Sequence, residues 1–324
     1  QYFAGYCYFS GTIKNEKLAF EYFEKSANKN FSRGQSEIGY FYGNGIGIKK
    51  DLKKAFYWYE KAASNGNIIA IWNLGLCYEN GIGVEKDYNE AFKLYKQLAE
   101  EGDLDGLAML GYCYSYGIGT NINKQKAFEL YQKSANLGDE TAQYNHILAQ
   151  TYVGECYQYG YGTIKNEKLA FQYYEKVANK DFANGQLRIG YLYYNGIGIK
   201  KDLKKSIHWY EKAANNGNIM AMHNLGKCYL NGEGVEKDYN KAFELFKRSA
   251  EEGYLRATTM LGYCYENGTG IEIDHQKAFE LYQKSANLGS MIAQYNLGLM
   301  YEYGKGLTKD IDQAIYWYEK SANQ

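Results

Sequence analysis

The feature that most constrains this chain is a period. An apolar residue followed by Gly, with Tyr three residues later, recurs with its Gly at Gly5, Gly39, Gly75, Gly111, Gly154, Gly190, Gly226, Gly262 and Gly298. The spacings are 34, 36, 36, 43, 36, 36, 36 and 36 residues, and the Tyr is present in all nine copies, from Tyr8 to Tyr301. A chain that repeats at such an interval builds one supersecondary unit many times and buries its apolar surface by stacking the copies.

A longer period lies over the first. Residues 12–145 align without a gap to 163–296 at an offset of 151, with 94 of 134 positions identical. A block of four repeats has been duplicated, so positions that differ between the blocks tolerate change, whereas those shared by every unit are architectural.

Each unit reads as two helices. In the copy from Asn67 to Gly102, Ala70, Leu74, Cys77 and Tyr78 recur at helical spacing and put an apolar stripe on a first helix that ends at Asn80-Gly81. The turn Ile82-Gly83-Val84-Glu85-Lys86 follows, and Asp87 stands where a helix N-cap belongs. Ala91, Phe92, Tyr95, Leu98 and Ala99 form one face of the second helix, which Gly102 closes. Small residues at fixed places, such as Gly75 and Ala99, let neighbouring backbones approach closely. Between Ala142 and Gly154 seven residues are added. Seven residues turn a helix by about 700°, close to two full turns, which predicts a lengthened first helix there that protrudes by about 10 Å.

Composition agrees with helices joined by Gly turns. There are 37 Tyr and 36 Gly but no Pro, so there are neither Pro-marked linkers nor Pro-punctuated loops. Lys plus Arg and Asp plus Glu are both 37, which removes the basic excess of a nucleic-acid or membrane-surface binder. With 45% hydrophobic residues the chain has enough apolar surface to fold. Apolar runs stay far short of the roughly 20 residues of a membrane span. The sequence opens at Gln1 inside a helical pattern and is expected to be a fragment of something longer.

The pattern A-x-x-x-L-G-x-x-Y-x-x-G-x-G-V-x-x-D-x-x-K-A, followed by W/Y-Y-x-K-A-A and Gly, is carried most fully by Ala70 to Gly102 and Ala221 to Gly253. It resembles the Sel-1-like repeat, a 36-residue relative of the tetratricopeptide repeat. The likeness covers essentially the whole chain. Its departures are local: Trp at the W/Y position only at Trp58, Trp209 and Trp317, a first copy short of two turn residues before Thr12, and the added segment. The resemblance implies an all-α fold, a right-handed superhelical solenoid of antiparallel helix pairs that binds other proteins and has no chemistry of its own. The expected units are 1–30 (partial), 31–66, 67–102, 103–138, 139–181 with the insertion, 182–217, 218–253, 254–289 and 290–324.

Cys7, Cys77, Cys113, Cys156, Cys228 and Cys264 all stand two residues after the repeat Gly, where other copies hold Phe41, Leu192 and Met300. The slot therefore takes any apolar side chain, and the thiols are expected to be free and to fill volume. Disulfide-dependent secreted relatives carry paired Cys within a repeat, which this chain lacks, so a reducing, cytoplasmic compartment is expected. The secretory pathway or endoplasmic reticulum lumen is the alternative, and the sequons at Asn30 and Asn267 do not decide between them. His146, His208, His223 and His275 have no metal-ligand spacing and read as variable surface residues. Turns such as Gly45-Ile46-Gly47 lack the Lys-Ser/Thr of a phosphate loop. No cofactor, no metal site and no enzyme activity are expected. Lys49, Lys50, Lys53, Lys54 and their copies Lys200, Lys201, Lys204 and Lys205 read as solvated turns, with an acidic partner patch as the sharper alternative.

The candidate binding residues lie on the first helix three before the Gly, one after it and four after it, where the stripe leaves solvent-facing positions. They are Tyr40, Trp72, Leu76, Tyr112, Leu187, Tyr191, Tyr194, His223, Leu230, Tyr263, Tyr295 and Leu299. By resemblance to tetratricopeptide proteins this face lines a concave groove, and its Tyr and Trp content suits an interface. The expected function is an adaptor or scaffold that takes a peptide or protein in that groove, with no nucleic acid and no membrane. The rivals are a structural spacer or self-associating scaffold, through uncapped ends, and an enzyme of the type bacterial relatives link to β-lactams.

Overall fold

A computed structural model describes residues 1–11, 14–137 and 144–323, without the side chains of 144–146. Contacts divide the chain into two compact units, Gln1–Lys165 and Asn166–Gln324. The first holds α1 (Tyr2–Ser10), α2 (Glu16–Ala27), α3 (Ser32–Asn44), α4 (Leu52–Ser64), α5 (Ile68–Asn80), α6 (Tyr88–Glu100), α7 (Leu104–Tyr116), α8 (Lys124–Leu137) and α9 (Tyr144–Tyr159). The second holds α10 (Glu167–Ala178), α11 (Ala183–Asn195), α12 (Leu203–Asn215), α13 (Ile219–Asn231), α14 (Tyr239–Glu251), α15 (Leu255–Asn267), α16 (His275–Asn287), α17 (Met291–Tyr303) and α18 (Ile311–Ala322). Among the described residues all regular structure is α-helical, and within each unit consecutive helices pack on one another as a solenoid.

The helix ends follow from local chemistry. The Asp51 carboxylate accepts from the Lys54 amide at 3.0 Å, and Asp87 accepts from the amides of Asn89 and Glu90, so the second helices begin on side-chain caps. From α3 onward first helices stop at a Gly in the left-handed region, for example Gly81 at φ 72°, whereas α1 stops at Gly11 in an extended conformation. The second Gly of the turn has a further duty. Gly83 lies at φ 74°, and a Cβ there would stand 2.1 Å from the Leu52 carbonyl oxygen at the start of α4. The turn of one repeat thus rests directly on the second helix of the repeat before it. Gly234 repeats the arrangement over Leu203 at 2.8 Å.

Packing inside a pair depends on the repeat Gly. A Cβ at Gly75 would stand 2.6 Å from the Tyr95 ring, and one at Gly226 would stand 2.7 Å from Phe246. The buried Tyr95 hydroxyl donates to Glu79 at 2.8 Å, as Tyr282 does to Glu266 at 3.0 Å and Tyr318 to Glu302 at 2.6 Å. Where Phe246 replaces Tyr95 at the 151-residue offset, Leu230 replaces Glu79, so donor and acceptor are lost together. Between repeats, the Tyr three after the Gly meets the Phe of the preceding second helix edge-on. Phe56–Tyr78, Phe92–Tyr114 and Phe243–Tyr265 have ring centroids 5.4, 5.5 and 5.5 Å apart.

The Cys slot behaves as an apolar one. Cys77, Cys113, Cys156, Cys228 and Cys264 are buried like Phe41, Leu192 and Met300, and only Cys7 is exposed. Burial pushes the Cys113 thiol up to about 12, so it stays protonated and unreactive at neutral pH. In the added segment α9 runs 16 residues against 13 in α5 or α7, and Ala149 takes the buried small position. Ala142, and with it the expected 10 Å protrusion, lies outside the described residues.

Candidate partner-binding surface

Among the side chains left open by the stack are those on the outer face of the first helices. At about 100° per residue, the position three before the Gly lies about 40° to one side of the position one after it, and the position two before lies about 60° to the other. The two sides have different fates. Leu187, three before Gly190, is 7% exposed and packs with Ala221, Met222 and Leu225 of the next repeat. His223 is 6% exposed, its ring 5.7 Å from Phe246 and 5.4 Å from Tyr254. Thr259 is buried in the same way and shares a 3.2 Å hydrogen bond with Ser290, the N-cap of α17.

Leu187 and His223 are therefore corrected from candidate contact residues to seam residues. Helical spacing on one helix reports only that helix's own stripe, and the covering surface comes from the following repeat. Expecting His223 at the surface was wrong for the same reason. Burial, with Lys227 and Arg256 adding to it, pushes its imidazole down to about 4 from an ordinary 6.5. Trp72 occupies the same position in the first unit, half-buried against Ile71, Tyr95 and Leu98. Tyr295, at that position in α17, is exposed.

One residue after the Gly the face opens. Tyr40, Tyr191 and Tyr263 are 43, 41 and 40% exposed, while Leu76, Tyr112 and Leu299 are half-buried. Tyr112 packs against Tyr116 with centroids 4.6 Å apart. Four after the Gly, Tyr194 and Leu230 are half-buried. The Tyr194 hydroxyl donates to Glu233, which pushes it up to about 12, and Lys201 lies 5.5 Å over the ring. The basic clusters at the turns are similarly occupied, with Lys54 5.1 Å over the Tyr42 ring and Lys205 5.4 Å over Tyr193.

The positions two and six before the Gly complete the face and were missed, although their spacing of three and seven from the exposed Tyr marks them. In the first unit they help to line a pocket of about 370 Å³ that contains Arg33, Glu37, Tyr40, Ile69 and Asn73. There the Tyr2 hydroxyl lies 3.5 Å from Glu37, whose carboxyl burial holds above the usual range. The pocket offers an aromatic wall, an aliphatic floor and one charge of each sign, which suits a side chain of a bound polypeptide. Among the described residues no group of three or more His, Cys, Asp and Glu could hold a metal ion, and no helix is long and apolar enough to cross a membrane.

Comparison with known proteins agrees with this architecture. The Sel1 repeat family model matches residues 1–31, 32–67, 68–103, 104–139, 147–182, 183–218, 219–254, 255–290 and 292–324. The crystal structure of c5321, a protective antigen of uropathogenic Escherichia coli strains with an SLR fold, is 34% identical with a TM-score of 0.68. The alignment covers 94% of this chain and 64% of that one. A Sel1 repeat protein from Oxalobacter formigenes is 31% identical with a TM-score of 0.68, over 76% of this chain and 95% of that one. Yeast Tom70 shares the fold alone, at 14% identity and a TM-score of 0.54, over 95% of this chain and 58% of that one. No curated protein sequence matches. Solenoids of this kind generally mediate protein–protein interaction and are typically non-catalytic. By its nine matched repeats, this chain belongs to the Sel1 repeat family.

Proposed function

We propose that the chain is a protein-interaction module that takes a polypeptide segment along the first-helix groove of a unit, with Tyr40, Leu76 and Tyr112 as contact residues in the first unit and Tyr191, Leu230, Tyr263 and Leu299 in the second. The observation that carries the reading is the exposure of Tyr40, Tyr191 and Tyr263 at a position where the stack does not need an aromatic, since Lys227 occupies it in α13. A large flat ring held in water on a rigid helix is available for a partner at low entropic cost. Its test is capture of partners on the immobilised intact chain against a Tyr40→Ser, Tyr112→Ser, Tyr191→Ser, Tyr263→Ser variant. The variant is expected to lose most bound protein while its helicity is unchanged. Undiminished capture would place recognition on another surface.

A further inference from the structure

The duplicated blocks share their scaffold but not the charge of this face. At the 151-residue offset Glu37 becomes Arg188, Leu76 becomes Lys227 and Asp105 becomes Arg256. All three positions lie on the outer face of first helices, two before, one after and six before the repeat Gly, in three consecutive repeats. Changes in the other direction are Arg33 to Asn184 and Ser115 to Glu266 on first helices and Ile82 to Glu233 in a turn. Lys227 and Arg256 are exposed, and neither forms an ion pair among the described residues. Their charges also converge, because both act on the buried imidazole of His223 between them. The two carboxylates that the second unit adds near Lys227 and Arg256 are already engaged: Glu233 accepts from Tyr194, and Glu266 pairs with Lys305 at 2.8 Å. Tyr191 shares α11 with Arg188, Tyr263 shares α15 with Arg256, and both rings are exposed. None of the three substitutions serves packing, since the first unit builds the same helices with Glu, Leu and Asp.

From this placement we infer that the second unit's groove is selective for an acidic polypeptide segment, bound across α11, α13 and α15 with its carboxylates on Arg188, Lys227 and Arg256 and its apolar side chains on Tyr191 and Tyr263. The inference rests on the groove reading above and adds the class of partner. Consecutive first helices are separated by the thickness of a repeat, on the order of 10 Å, which an extended chain covers in about three residues. Acidic residues spaced by about three, with apolar residues between them, match the row. A nucleic acid fits less well. Three cations beside Glu233 and Glu266 are fewer than the roughly 6–10 phosphate contacts of a typical binder, and the fixed carboxylates repel a continuous phosphate backbone.

The test uses the intact chain and a short fluorescein-labelled peptide with Glu at every third position among Leu and Ser, together with its Gln and Lys versions. The Glu peptide is expected to bind at least about tenfold tighter than the Gln peptide at low salt. The gap should close as ionic strength rises, and the Lys peptide should bind weakest. Arg188→Glu, Lys227→Leu, Arg256→Asp installs the first unit's own residues and is expected to erase the preference without lowering the melting temperature. Should the triple variant misfold, Lys227→Leu alone is expected to weaken the Glu peptide by about threefold. Equal binding of the Glu and Gln peptides, or a preference that survives the swap, overturns the inference. So does a single-stranded uridine oligomer that binds more tightly than the Glu peptide. If Glu and Gln peptides bind equally and both are lost on Tyr191→Ser, Tyr263→Ser, the groove reading stands and only the acidic preference fails. If no peptide binds, both fail.

Discussion

The block 12–145 and the block 163–296 carry the same frame and different surfaces. Turn glycines, the capping Asp51 and Asp87 with their copies Asp202 and Asp238, the repeat Gly and the Tyr three after it are common to both, whereas Glu37, Leu76 and Asp105 give way to Arg188, Lys227 and Arg256. Residues that contact the preceding repeat's backbone have no freedom, because a Cβ at Gly83 or Gly234 meets a carbonyl at the start of that repeat's second helix. Residues that contact water are free to change, so divergence between copies gathers where a partner can reach. Within the core, single side chains exchange, as Phe41 for Leu192 and Ile71 for Met222, whereas the hydrogen-bonded pair changes together, Tyr95 with Glu79 against Phe246 with Leu230.

The comparison breaks first if the shared frame is dispensable. Tyr95→Ala and Phe246→Ala each empty a fully buried site against a repeat Gly, and each should cost about 3–5 kcal/mol in denaturant unfolding. Gly83→Ala and Gly234→Ala come next. Each forces a side chain into a left-handed conformation and onto a backbone carbonyl, at a cost of about 3 kcal/mol. Gly66 has the same φ of 74° with open space around it, so Gly66→Ala should cost only about 1 kcal/mol. Equal midpoints for the variants at Gly66 and Gly83 would show that the turn does not rest on the previous repeat.

The seam distinguishes the blocks by pH. His223 is neutral in the folded state because burial, then Lys227 and Arg256, hold it at about 4, whereas the unfolded chain protonates near 6.5. Its contribution is unaffected above pH 6.5, and stability falls as pH drops from 6.5 to 4, by about 3 kcal/mol at most. The first unit holds Trp72 there, so His223→Trp should flatten that part of the stability curve. A curve with the same slope after the substitution would assign the acid sensitivity elsewhere. A smaller effect sharpens the core comparison. Glu79→Leu should cost about 1–3 kcal/mol by leaving the Tyr95 hydroxyl without its acceptor, and Tyr95→Phe in the same chain should recover most of it, as the second unit does with Phe246 and Leu230.

Much of this was legible in the sequence. Helix ends at Gly81, the Asp87 cap and the close approach at Gly75 follow from residue chemistry within one repeat, and the repeat period shows the same pattern again along the chain. The seam was not legible. Leu187 and His223 satisfy every single-helix criterion for exposure, and only the following repeat covers them. The charge reversal was present in the two blocks throughout, but it acquires meaning only once Glu37, Asp105, Arg188 and Arg256 are known to share the open face with Tyr40 and Tyr191.

The central claim is that the position three before the Gly holds the stack and the position one after it faces a partner. Thermal unfolding of two paired variants tests it most directly: Leu187→Ser, His223→Ser against Tyr191→Ser, Tyr263→Ser, at pH 7. Loss of a few kcal/mol should lower the midpoint of the seam pair by about 5 °C or more, while the exposed tyrosines, each worth within about 0.5 kcal/mol, should leave theirs within about 2 °C of the unmodified chain. A tyrosine pair that melts as early as the seam pair would contradict the account.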